Sequence, residues 1–224
     1  MDFIQKYHKF FLVGMKNSVL IALFAVLIGV LFGVLFALLK LSKNKVLKTI
    51  ATIYIEFIRG TPLLVQLYII YYGLPMLGIC IPKIPFLGDS GNDLLAGIIT
   101  LSLNSTAYVA EIIRGGIEAV DKGQMEAARS LGLNHSMAMK SVIMPQAFKN
   151  ILPALCNEFI TIIKESSIVS VIGVPELMFN ADTVRGNTFE PFAPLLIAAA
   201  LYFIMTFTLS KLIGIVERRM KLSD

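Results

Sequence analysis

From Ser18 to Leu39 the chain carries no charged side chain, and almost every position in the run is apolar. A bilayer core of about 30 Å calls for roughly 20 such residues in one helix, because lipid offers the backbone no hydrogen-bond partners. A chain with this run must fold around membrane-spanning helices. The composition agrees, with 56% hydrophobic and 16% charged residues and a mean hydropathy of +0.77, which is wrong for a soluble domain. The length of 224 residues suits one membrane domain.

Repeating the test along the chain predicts an all-α integral membrane fold of about five transmembrane helices. After Ser18–Leu39 these fall at 50–75, Leu94–Ile113, 148–173 and Pro194–Ile215. Residues 1–16 are expected to lie apart, as an amphipathic helix in the membrane interface. There Phe3, Ile4, Tyr7, Phe10 and Phe11 share a face from which Lys6 and Lys9 are absent. Residues 17–216 form the transmembrane domain, 115–147 a polar loop within it, and 217–224 a basic tail. The first apolar run is too long for a cleavable signal and lacks a small-residue cleavage site after it.

Charge sets the expected topology. One set of segments carries Lys40, Lys43, Lys45, Lys48, Arg114, Lys122, Arg129, Lys140, Lys149, Lys211, Arg218, Arg219 and Lys221; the other carries only Lys6, Lys9, Lys16, Lys83 and Arg185. The positive-inside rule places the N-terminus outside, the C-terminus inside and the polar loop in the cytoplasm.

That loop, KGQMEAARSLGLNHSMAMKSVIMP at 122–145, reads as two short helices with a glycine elbow. Gln124 to Leu131 favours helix, Gly132 allows a bend, Asn134 is a cap, and Pro145 is expected to end the second helix. The stretch resembles the EAA motif of ABC importer permeases: Glu126, Ala127, Ala128 and Gly132 stand in register, followed by Val142, Met144 and Pro145 where the pattern has Ile, Leu and Pro.

Polar residues inside the spans mark the other candidate site. Glu56 and Arg59 precede Gly60-Thr61-Pro62, where a bend is expected. They either pair within a helix interface or form a charged turn near the membrane surface. Gly29 and Gly33 form a G-x-x-x-G pair that permits close helix packing. Asn104, Tyr108 and Glu111 share a helix face, flanked by Ser105, and Glu158, Thr161 and Glu165 share another. Such groups need partners or a water-filled cavity. The sequences E-x-x-R-G-T-P-L-L-V-Q-L from Glu56 and N-S-x-A-Y-x-A-E-x-x-R-G-G from Asn104 are similar to the polar amino acid permease branch of the same family.

The resemblance implies a type I importer permease subunit in a bacterial cytoplasmic membrane, moving polar amino acids inward. Two such chains, identical or paralogous, would form a pore beneath an extracytoplasmic amino-acid-binding protein. A separate cytoplasmic ABC ATPase dimer would bind ATP and Mg and receive the elbow through Glu126, Ala127, Ala128, Gly132 and Pro145. Substrate would meet Asn104, Ser105, Tyr108, Glu158 and Glu165. Glu158 either pairs with a substrate ammonium or guanidinium or forms a buried ion pair with Lys164 or Arg59.

No catalytic residues, cofactor or metal site are expected in the chain. It has no phosphate-binding G-x-x-x-x-G-K-[ST] loop, no hydrolase constellation, and only the separated Cys80 and Cys156 and the lone His8 and His135. A secondary transporter or channel subunit not coupled to ATP is the alternative, and the cytoplasmic elbow argues against it.

Overall fold

The computed structural model describes residues 2–79, 81–82 and 91–221, and its described residues contain helices and no strands. Cys80 and residues 83–90, including the Lys83 placed on the outer side by the charge pattern, lie outside the described residues. The helices are α1 (Asp2–Leu41), α2 (Lys45–Gly60), α3 (Leu63–Tyr68), α4 (Leu74–Met76), α5 (Gly91–Glu118), α6 (Lys122–Ser130), α7 (His135–Ala138), α8 (Met144–Glu165), α9 (Leu177–Thr188) and α10 (Ala193–Lys221).

Three of these are long and apolar enough to cross a membrane: α1 over Gln5–Leu41, α5 over Gly91–Glu118 and α10 over Ala193–Ile215. A fourth is counted if α2 and the α3–α4 segment form one broken span, bent by 108°. The expected five are therefore not reached by length and composition. The shortfall is α8, where Lys149, Glu158, Lys164 and Glu165 dilute the apolar residues of an otherwise sufficient 22-residue helix.

Residues 1–16 do not form the separate interfacial helix expected of them. The helix runs unbroken from Asp2 into the first span, and Tyr7 and Phe11 are buried in the main core. Their spacing suits an interface and a protein core equally, and here α9 supplies the surface, with Asn180 Nδ2 donating to the Phe10 carbonyl at 2.8 Å. The segment after span four carries α9, and its residues Leu177, Ala181 and Val184 are buried in the main core. At the other end α10 continues to Lys221, so residues 217–221 of the expected tail belong to that helix.

The main core gathers Ile21, Ala22 and Ala25 of α1, Leu101 of α5, Ile162 and Ile163 of α8, and Leu177, Ala181 and Val184 of α9. Close approach of α1 to α5 depends on Gly29 and Gly33. A Cβ on Gly29 would stand 2.8 Å from Ser105 Cβ, and one on Gly33 would stand 2.5 Å from Val109 Cγ1. The G-x-x-x-G pair is thus a packing device, as small-residue interfaces in membranes generally are. The opposite face of α1 leaves Leu27, Leu31, Leu35 and Leu38 exposed, the arrangement lipid tails accept.

Proline shapes two further helices. Pro75 and Pro145 each follow a π turn, Ile69–Gly73 and Met139–Ile143, and the chain stays helical through both. A proline within a helix lacks a donor and crowds the carbonyl four residues back. The widened turn relieves that conflict, with Met144 N–H bonding the Met139 carbonyl. Pro145 therefore does not end the second elbow helix as expected; it is carried into α8.

Candidate substrate site and coupling elbow

Local sequence builds the break between α2 and α3. Thr61 precedes Pro62 and is extended, at φ −116° and ψ 145°, because a following proline disfavours the helical region. This leaves carbonyls at the end of α2 without their helical donors. Thr61 Oγ1 donates to the Phe57 carbonyl at 2.9 Å. The Ile58 carbonyl, whose donor would have been residue 62, instead accepts from Gln66 Nε2 at 2.7 Å. The same nitrogen donates to the Thr61 carbonyl at 3.1 Å and to Thr61 Oγ1 at 2.9 Å. Gln66 Oε1 then accepts from Asn104 Nδ2 of α5 at 3.1 Å.

Neither Glu56 nor Arg59 forms a pair with the other in the described contacts; both join a charged cluster at the ends of α1 and α5. Glu111 is its centre, 2.6 Å from Lys40, 2.8 Å from Arg114 and 3.7 Å from Arg59. Lys40 also lies 3.8 Å from Glu56, and Arg114 pairs with Glu118. Tyr108, expected at the substrate, lies beneath Arg59, with the guanidinium carbon 5.5 Å from its ring centroid. One helix face thus meets two environments: Asn104 reaches Gln66, whereas Tyr108 and Glu111 reach the cluster.

Glu158 sits on α8 with 7% of its surface exposed. Its Oε1 is buried without a hydrogen-bond partner, as is Ser105 Oγ. The Ser105 hydroxyl stands beside the Glu158 carboxyl, and Glu165 is near enough to act on the same group. Of the two cations considered for Glu158, Arg59 is held by Glu111 and Lys164 is exposed. One turn and more along the same face, a cleft of about 480 Å³ is lined by Leu63, Thr161, Lys164, Glu165, Ser167 and Ile168. The structure therefore brings Ser105, Glu158 and Glu165 together, sends Asn104 to Gln66, and places Tyr108 elsewhere.

The elbow is built by caps. Asp121 accepts from Gly123 N–H at the start of α6. At its end Leu133 N–H reaches the Ala128 carbonyl at 3.2 Å and Gly132 N–H the Arg129 carbonyl at 3.0 Å, around Gly132 at φ +85°. This Schellman closure needs a left-handed residue, which glycine supplies without strain. Asn134 Oδ1 then accepts from Met137 N–H at 2.9 Å to start α7. Glu126 and Ala127 are exposed, whereas Ala128 is buried inside the elbow, so the two alanines do different work. Leu131 at the turn is 84% exposed. A small core of Val120, Ile143, Ala147 and Ile151 fixes the elbow to α5 and α8. From His135 through the π turn to Glu158 the chain is continuously helical over about 35 Å, with Pro153 inside α8.

Sequence reasoning gave no role to Gln66 or Glu176. Gln66 could have been found as the polar residue four places beyond a helix-breaking proline. Glu176 could have been found as an acid just before a helical run. It is fully buried, caps α9 through Phe179 N–H at 2.7 Å, and accepts from Ser18 Oγ at 3.2 Å and Tyr202 Oη at 2.6 Å.

Among the described residues no cluster of His, Cys, Asp and Glu could hold a metal ion. Residues 29–222 match the family model described as the binding-protein-dependent transport system inner membrane component. A Rickettsia bellii protein named as a glutamine transport system permease is 42% identical over 95% of this chain and 91% of its own length. A Bacillus subtilis protein named as an arginine transport system permease is 42% identical over 96% and 94%. Among solved structures, an amino acid ABC transporter crystallised with histidines is 53% identical, with a TM-score of 0.89 over 96% of each chain. The inward-facing methionine transporter MetNI shares the fold at 15% identity, with a TM-score of 0.72 over 95% of this chain and 97% of its own. With its spans, elbow and buried polar face, the chain belongs to the family of binding-protein-dependent transport system inner membrane components.

Proposed function

We propose that this chain is the permease subunit of an ATP-driven importer for polar amino acids. One observation carries the reading: the second helix of the elbow and a buried carboxylate, whose Oε1 has no hydrogen-bond partner, lie on one continuous helical stretch. Relatives named for glutamine and arginine transport support the substrate class.

In this reading two permease chains surround the path, an extracytoplasmic binding protein delivers the amino acid, and a cytoplasmic ATPase dimer binds ATP and Mg. The N-terminus lies outside and the C-terminus inside the bacterial cytoplasmic membrane. Leu131 supports docking, since an apolar side chain this exposed in a polar loop suits a protein groove. Glu126 offers a carboxylate at the same surface. Closure of the ATPases on ATP would push the elbow, and the helical stretch would carry that motion to Glu158. Ser105, Glu158 and Glu165, with Asn104 beside them, would then meet the substrate ammonium or a cationic side chain. Hydrolysis would reset the helical stretch.

ATP-driven uptake of labelled amino acids into proteoliposomes holding this chain, its ATPase and its binding protein tests the reading. Uptake of a polar amino acid that requires ATP is the expected result. Uptake indifferent to ATP would instead identify a secondary carrier or channel.

A further inference from the structure

Gln66 is committed at both ends of its amide. Ile58 and Thr61 each present a backbone carbonyl, which accepts and cannot donate, so the nitrogen of Gln66 has to face them. Its oxygen must then face α5. Asn104 can meet an acceptor only with its own nitrogen, which it does at 3.1 Å. The Asn104 oxygen is therefore the end of that amide left free of the Gln66 bond. The polarity of Asn104 is fixed by a chain of hydrogen bonds that begins at the missing donor of Pro62. Both amides are buried, Gln66 at 6% and Asn104 at 5% exposure, so water cannot easily substitute for either bond.

We propose that Gln66 is a positioning residue for transport: it orients Asn104 so that an acceptor, not a donor, is offered to the amino acid. This rests on the permease reading above. Together with the carboxylate of Glu158, whose Oε1 has no partner, the site would then present acceptors to the substrate. That chemistry selects an N–H-bearing cationic group, either the α-ammonium common to amino acids or a side-chain cation. The same bonds tie the α2–α3 break to the site, so an amide in the bend sets what the substrate meets.

The test is uptake kinetics of labelled arginine and glutamine by the reconstituted importer. Gln66→Met removes both ends of the amide and lets Asn104 turn. KM should rise by about tenfold, the order expected for losing one charge-assisted hydrogen bond, with Vmax changed much less. Gln66→Glu, in its protonated form, keeps an oxygen for Asn104 Nδ2 and an O–H donor for the Ile58 carbonyl, and should hold KM within about threefold of wild type. Unchanged KM in Gln66→Met, or equal losses in both variants, would reduce Gln66 to a staple of the bend and overturn the proposal.

Asn104→Asp tests the same point from the other side of the bond. It keeps the shape and adds negative charge, yet removes the donor that Gln66 requires. Both of its ends accept, so an acceptor meets the substrate whichever way the side chain turns, and adding Gln66→Met to it should leave KM within about threefold; a further rise of about tenfold in the double variant would contradict the proposal. Equal effects of Gln66→Met alone on arginine and glutamine would assign the acceptors to the α-ammonium, and effects on arginine alone would assign them to the side chain. Absence of ATP-dependent uptake in the wild-type complex would instead count against the permease reading itself.

Discussion

Lys40 Nζ lies 2.6 Å from Glu111 Oε1, so the end of α1 is pinned to α5 by a largely buried pair. Arg114 and Arg59 crowd the same carboxylate from α5 and α2. Removing it leaves several cations facing one another. Glu111→Gln is expected to destabilise the protein by about 2–3 kcal/mol, because breaking one partner of a buried pair costs more than the pair contributes. Thermal unfolding in detergent would show it; an unchanged midpoint would mean that the cluster is effectively solvated.

Close packing of α1 on α5 gives a second expectation. Gly33→Ala places a methyl 2.5 Å from Val109 Cγ1, and Gly29→Ala one 2.8 Å from Ser105 Cβ. Each is expected to cost about 1–3 kcal/mol through overpacking. Gly214→Ala, with nothing within 4 Å, is the matched control and should be neutral or slightly stabilising. Equal effects at all three positions would remove the G-x-x-x-G pair from the packing argument.

Glu176 gives a pH dependence. Burial holds its carboxyl above the usual range, against the opposing bonds from Tyr202, the α9 backbone and Ser18. A carboxyl raised by folding favours the folded state while protonated, and that contribution is lost as pH rises through the folded value. Stability should therefore decline as pH increases from the ordinary carboxylate range toward neutrality. Glu176→Gln, which cannot ionise, should flatten that slope in a melt series against pH. A variant as pH-dependent as wild type would place the titration elsewhere.

Much of this architecture is legible in the sequence, and the exceptions have physical causes. Gly132 and Asn134 announce the elbow because left-handed turns and helix caps admit few residue types. Glu158 is legible as a costly buried charge. By contrast, Tyr7 and Phe11 follow a spacing that an interface and a core share, so only the presence of α9 decides between them. Pro145 reads as a stop because the sequence does not reveal the π turn that accommodates it. Tyr108 shares a face with Asn104, yet the residues opposite that face, Arg59 and Gln66, come from a bend whose direction is set by tertiary packing.

Elbow chemistry separates bend from docking. Gly132 stands at φ +85° with open space around it. Asparagine tolerates this backbone better than most residues, so Gly132→Asn should fold and insert normally. The added side chain at a docking surface should still cut ATP-driven uptake by about tenfold or more, while substrate binding at zero ATP is retained. Full uptake by that variant would show that the bend alone matters.

The central claim is that elbow and carboxylate move together, and access at Thr161 tests it most directly. Thr161 lines the cleft beside Glu165 on the face of α8 that carries Glu158. In a complex with Cys80 and Cys156 replaced by serine, Thr161→Cys would be challenged with an impermeant thiol reagent from each side of the membrane. The account predicts labelling from inside without ATP, labelling from outside when ATP is bound but not hydrolysed, and no such switch with Gly132→Asp added. Labelling that ignores ATP, or that still switches in Gly132→Asp, would contradict it.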